Sequence, residues 1–162
     1  IGALREHADL VMDTSTMAGA DVRRLLAGHF TIEEGPDLTA TVMSFSYRKG
    51  LPREADLVFD VRFLRNPHYV PELRPLSGMD RDVARYIEED PALDQIMGRL
   101  DELLLDLLPR YAAEGKTYLT VAIGCTGGQH RSVFVAERLA DILERAGHPI
   151  ARRHRDVNTA SG

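Results

Sequence analysis

The chain has 162 residues and a mass of 18.0 kDa, enough for one domain with a sizeable buried core and too short for two full ones. A net charge of −5 at pH 7 argues against a surface that attracts nucleic acid as a whole, while leaving room for a local basic patch. No run reaches the ~18 apolar residues of a membrane span, no signal peptide is visible, and the lone Cys125 has no internal disulfide partner, so a reducing cytoplasm is the expected compartment.

The chain begins at Ile1 without Met, as a fragment or processed chain would, and residues 1–35 read as a leader to the main domain. Within them, ADLVM (8–12) suggests a short strand, Asp13 to Thr16 offer helix N-caps, and Asp21 to His29 have helical spacing. Glu33-Glu34-Gly35-Pro36-Asp37 is turn chemistry and marks the boundary. The main domain, 36–157, then alternates. Leu38–Tyr47 and Ala55–Phe63 are predicted strands, separated by the break Lys49-Gly50-Leu51-Pro52. The prolines Pro67, Pro71 and Pro75 and the glycine Gly78 exclude regular structure from the loop that follows.

Asp80–Glu89 and Ala92–Glu114 are predicted helices. In the second, Leu93, Ile96, Met97, Leu100, Leu103, Leu104, Leu107 and Leu108 make a wide apolar face. Thr117–Ile123 is a third strand, Gln129–Ala146 a third helix ended by Gly147, and Pro149–Val157 a last strand. The tail 158–162 is expected to be disordered. The alternation implies an α/β fold, a single domain with a mostly parallel or mixed sheet flanked by helices.

The chemistry concentrates at TVAIGCTGGQHRSV, residues 120–133, where a strand, a glycine turn and a helix follow one another. The first amides of a helix lack intrahelical partners, and its dipole is positive at that end, so such a turn suits an anion. Gly127 and Gly128 permit close approach, Arg131 adds a planar fork, Thr126 and Ser132 add hydroxyls, and His130 adds a donor. The spacing is not that of a Walker A loop. Cys-x-x-Gly-x-x-Arg-Ser, from Cys125 to Ser132, resembles instead the phosphate loop of cysteine-dependent phosphatases, with Gly124 where those enzymes usually have His and no obvious general-acid Asp nearby. Cys125 reads equally as a small buried hydrophobe. A second cluster, Asp60, Arg62, Arg65, Asn66, His68 and Arg74, lies at and beyond a strand end, where α/β sheets usually bind ligands. Asp60 and Arg62 read alternatively as a structural ion pair, and His68 as a loop-stabilising group.

Taken together, SFSYRKGLPREADLVFDVRFLRNPHYVPELRPLSGMD (44–80) and YLTVAIGCTGGQHRSVFVAERLA (118–140) resemble the C-terminal domain of the RapZ (YvcJ-type) family, and ADLVMDTS (8–15) resembles the end of that family's N-terminal domain or its linker. The resemblance implies a fold like a phosphofructokinase subdomain and assembly into dimers or tetramers. It implies no cofactor here, since ATP or GTP would belong to the N-terminal nucleotide-binding domain that this chain does not include. It also implies no catalysis and no metal. The expected role is to sense an amino-sugar phosphate, glucosamine 6-phosphate or a related metabolite such as a sugar nucleotide, and so to control amino-sugar metabolism. The implied ligand residues are His68, Thr126, Gly127, His130 and Arg131, with Asp60 and Cys125 beside them.

Family members that bind small RNA as adaptors for its decay carry a Lys- and Arg-rich tail. Here only Arg152, Arg153 and Arg155, with Arg48, Lys49 and Arg53, supply basic character, and three or four phosphate contacts give weak, salt-dependent affinity. An RNA or protein partner and a phosphatase activity through Cys125 are the alternatives to the sensor reading.

Overall fold

The β-branched run after Leu38 forms strand β1 (Thr39–Ser46), and the second apolar run forms β2 (Leu57–Asp60). Two helices follow, α1 (Arg81–Glu88) and α2 (Ala92–Ala113), then β3 (Tyr118–Cys125), α3 (Arg131–Arg145) and β4 (Ile150–His154). This computed structural model describes residues 38–157; the strand expected at 8–12, the helix at 21–29, the turn at 33–37 and the tail at 158–162 lie outside them.

The four strands make one sheet in the order β2-β3-β1-β4, and every pairing is parallel. β1 and β3 are interior and buried on both faces, which explains their nearly continuous apolar sequence. β2 and β4 are edges, and β2 alternates between half-buried and exposed positions as a strand covered on one face does. β2 is shorter than the predicted Ala55–Phe63. Pairing stops at Asp60, whose carboxylate accepts the Arg62 amide at 2.9 Å and turns the chain out of the sheet. β3 runs two residues beyond its predicted end, because Gly124 and Cys125 still pair with Phe45 and Ser46. A side chain at Gly124 would collide with the Phe45 ring, so only glycine lets these strands stay paired there.

The main core fills the face that α2 and α3 cover: Val42, Val121 and Ile123 of the sheet share a buried cluster with Leu104, Leu139 and Leu143. A smaller cluster of Met43, Phe45 and Ala122 lies on alternate positions of β1 and β3, with Tyr47 and Ala55 packed against it. The apolar face of α2 is narrower than its sequence suggests. Leu93, Met97, Leu100, Leu104 and Leu108 are buried, a stripe spaced at three and four residues, whereas Leu103 is 43% exposed. No described helix is long and apolar enough to cross a membrane.

Two substitutions separate the buried stripe from its exposed margin. Leu139→Ala should lower the unfolding free energy by about 2–5 kcal/mol through lost burial and a residual cavity, while Leu103→Ala should change it by less than ~0.5 kcal/mol. Urea unfolding of both variants reads the difference, and equal losses would contradict this description of the core.

Candidate functional site

Parallel strands deliver their carboxyl ends to one side of the sheet, and three successive loops meet there. The turn Tyr47–Lys49 follows β1, the segment from Val61 to Asp80 follows β2, and the glycine turn Thr126–His130 joins β3 to α3. Between them lies a cavity of about 280 Å³. Arg48 lines it from the first loop, Asn66, His68 and Tyr69 from the second, and Cys125, Thr126, Gly127, Gln129, His130 and Arg131 from the third. No aspartate or glutamate is among these lining residues.

The glycine turn is held from both sides. On the β1 side, the Ser46 hydroxyl donates to the Thr126 carbonyl at 2.8 Å. Asp156, just past β4, accepts the Ser46 amide at 2.7 Å, and a side chain at Gly128 would come within 2.9 Å of that same amide and of the Asp156 Cβ. Gly128 also has φ +69°, which glycine adopts without strain. Burial pushes the Asp156 carboxyl up, but Arg155, the Ser46 amide and Lys49 outweigh it and hold the group below the usual carboxylate range. On the β2 side, the Gln129 side chain donates to the Leu76 carbonyl at 2.7 Å, and the Gly78 amide donates to the Gln129 carbonyl at 2.9 Å. Gly78 packs so closely on the backbone of His130 and Phe134 that a Cβ would not fit.

Arg131 is the principal cation of the site. It is only 5% exposed, and its Nη1 donates to the carbonyls of Arg62 at 2.6 Å and Leu64 at 3.1 Å. Nη2 reaches the Thr126 hydroxyl at 3.5 Å, and the buried Nε has no partner. Among the described residues no carboxylate forms an ion pair with this guanidinium, and the Asp60 carboxylate, whose pKa Arg131 helps to hold down, is its nearby counter-charge. A buried charge left without a counter-ion is unfavourable by several kcal/mol. The first intrahelical bond of α3 runs from the Phe134 amide to the His130 carbonyl, so the amides of Arg131, Ser132 and Val133 form the positive end of the helix beside the guanidinium.

The structure sorts the residues expected from sequence. His68, Thr126, Gly127, His130, Arg131 and Cys125 come together around the cavity, whereas Asp60, Gly128 and Ser132 do not line it. Asp60 is bound to Arg62 through both oxygens, with Nη2 to Oδ2 at 2.6 Å, and this contact holds its carboxyl below the ordinary range. Gly128 gives its amide to the Cys125 sulfur at 3.2 Å and so withholds it from an anion. Ser132 is fully buried, with its hydroxyl 3.1 Å from the same sulfur. The helix begins at Arg131 rather than Gln129, and the His130 ring turns inward to place Nε2 3.2 Å from the Leu73 carbonyl. Burial holds its pKa down, partly offset by the carbonyls of Leu73, Arg74 and Leu76.

Sequence reasoning did not assign Tyr69 or Gln129 to the ligand, although each adjoins a residue that it did choose, and it named Asn66 only within the cluster beyond β2. Asp156 carried no local signal at all. The amide it accepts, that of Ser46, is 110 residues away in the sequence. The arginines proposed as an RNA contact are mostly committed elsewhere. Arg152 binds Glu137, Asp141 and Glu144 of α3, Arg153 binds Glu54, and Arg155 and Lys49 bind Asp156. Among the described residues Arg48 and Arg53 of that set have no ion pair, and Arg48 lines the cavity.

The family model described as the RapZ C-terminal domain matches residues 38–158. A nucleotide-binding protein of Paramagnetospirillum magneticum is 54% identical over 98% of this chain and 52% of its own length. One from Rhodospirillum centenum is 57% identical over 96% of this chain and 47% of its own length. A third, from Gluconobacter oxydans, is 51% identical over 90% of this chain and 45% of its own. The chain spans about half the length of the curated relatives it matches.

The buried His130 gives the site a pH signature. Its folded pKa lies below the ordinary 6.5, so the unfolded chain takes up the proton first as pH falls. Its contribution to stability is therefore complete above about 6.5 and declines as pH falls from there toward the folded value. Urea midpoints at pH 7.5 and 5.5 should fall in the native chain and fall less in His130→Asn; equal falls would contradict the assignment.

Proposed function

The chain belongs to the RapZ C-terminal domain family, and from that premise we propose that its cavity is a non-catalytic receptor for a phosphorylated sugar. The observation that carries this reading is the buried Arg131, with Nε unpartnered, beside a helix N-terminus in a cavity whose lining contains no carboxylate. In a chain of net charge −5, an acid-free wall with two arginines and two histidines favours a dianion. The phosphoryl group lies against Gly127, Thr126 and the guanidinium of Arg131. His68, Asn66 and Tyr69 then face the sugar from the β2 side.

The resemblance in sequence suggests an amino-sugar phosphate such as glucosamine 6-phosphate, and a regulatory output on the supply of amino sugars for the cell envelope. Binding stabilises the arrangement of two loops at once, because the phosphate bridges the glycine turn and the guanidinium that ties it to residues 62–64. That coupling is how occupancy would reach a partner surface. No nucleophile or proton transfer is needed, and the Cys125 thiol is engaged with Gly128 and Ser132. The nucleotide binding named for the longer relatives belongs to those proteins.

Arg131→Lys tests the reading, since lysine keeps a charge and loses the planar fork. Calorimetric titration with glucosamine 6-phosphate should show at least a tenfold loss of affinity in the variant, about 1.4 kcal/mol or more, with its far-ultraviolet circular dichroism unchanged. In the native chain, ligand at a hundred times its Kd should add about 2.7 kcal/mol of stability. Unchanged affinity in the variant would sink the placement.

A further inference from the structure

Ser46 is the last residue of β1, is buried, and has every polar group committed. Its amide donates to Asp156 Oδ2 at 2.7 Å, its carbonyl accepts from Arg155 Nη2 at 3.1 Å, and its hydroxyl donates to the Thr126 carbonyl at 2.8 Å. The first two partners follow β4 on one side of β1, and the third follows β3 on the other. Ser46 thus carries a connection across three adjacent strands, from the corner after β4 to the glycine turn. Asp156 is anchored in its turn: Arg155 Nε donates to the same oxygen at 2.9 Å, and Lys49 Nζ lies 3.4 Å from the other.

The contact with Thr126 sets a direction. In a planar trans peptide the C=O and N–H point opposite ways, and the described residues contain no cis bond. With the Thr126 carbonyl turned toward β1, the Gly127 amide of the same peptide unit points away from β1. That amide makes no hydrogen bond among the described residues, and a Cβ at Gly127 would meet nothing within 4 Å. The next amide, that of Gly128, is bound to the Cys125 sulfur. One amide therefore closes the turn while its neighbour stays open on a residue that lines the cavity. Glycine at 127 tolerates either sign of φ, so this peptide unit is free to flip by its own backbone preferences. The Ser46 hydroxyl selects one orientation of the two.

Resting on the proposed function, we propose that Ser46 and Asp156 are positioning residues for the phosphoryl group. The Ser46 hydroxyl holds the Thr126–Gly127 peptide with its N–H toward the ligand, and Asp156 fixes Ser46 for that task. Neither residue lines the cavity, so both act from behind the turn. An amide held in place before the ligand arrives binds it with less ordering cost than one that must first be turned.

NMR of the isotope-labelled full chain, titrated with glucosamine 6-phosphate, tests this in the native chain, Ser46→Ala, Ser46→Thr and Asp156→Asn. In the native chain the Gly127 amide proton should move downfield as it donates to the phosphoryl group, while that of Gly128, already bound to sulfur, should not. Ser46→Ala should lose most of that displacement and bind about tenfold more weakly. Ser46→Thr keeps the hydroxyl and should retain both. Asp156→Asn should weaken binding on its own and add little to Ser46→Ala, because it acts through Ser46. A general loosening of the fold would not be restored by threonine. Binding that leaves the native Gly127 amide unmoved overturns the inference while the receptor stands, and this arm needs no variant to fold. An undiminished displacement in Ser46→Ala, or equal losses in the alanine and threonine variants, overturns it too. Absence of any response in the native chain overturns the receptor reading and this inference with it.

Discussion

A buried guanidinium must have its donors met, and in this protein that requirement organises one end of the fold. Arg131 stands at the first position of α3, yet its Nη1 is spent on the carbonyls of Arg62 and Leu64, in the segment leaving β2. The residue therefore ties the start of a helix to a neighbouring strand end. Because Nη1 is committed, the guanidinium is fixed in orientation, and its Nε is left buried without a partner. A buried donor with no partner is uncommon in a folded interior, where polar atoms are nearly always paired.

The parallel sheet makes this possible. With β3 at the centre, the loops after β1, β2 and β3 all emerge on the same side, and each contributes a wall to one cavity. Glycines appear where backbones must touch. Gly124 gives way to the Phe45 ring, Gly128 to Ser46 and Asp156, and Gly78 to the first turn of α3. The corner after β4 completes the support. Asp156 accepts the Ser46 amide and Arg155 holds both ends of the adjacent turn, so the last described residues stabilise the geometry of a loop more than a hundred positions earlier.

Net charge describes this molecule poorly at the scale of its surfaces. The arginines of β4 look like a basic stripe in one dimension, but β4 packs beside α3, and Glu137, Asp141 and Glu144 face Arg152 across that contact. The converse holds at the cavity, where an acidic chain presents no acid at all. Coulomb interactions act over a few ångströms once water is displaced, so the partners that folding brings together decide what a charge can do.

The alternation of strands and helices was legible in the sequence because hydrophobic period is a local property; β1, α1, α2 and β4 follow it closely. The strand–glycine–helix connection at Gly124–Arg131 was legible for the same reason, and it located the centre of the cavity. Local pattern is blind to distant partners. It could not show that pairing with Ser46 extends β3 to Cys125, or that the Gly128 amide and Ser132 hydroxyl turn to the sulfur. Nor could it decide whether Asp60 closes on Arg62, or reveal that Arg152 is spent on α3 while Arg48 lines the cavity. Residue types and their periods determined the class of fold and the kind of chemistry. The availability of each group was decided only in three dimensions, because a hydrogen bond or ion pair is made with whatever the topology sets within about 3 Å.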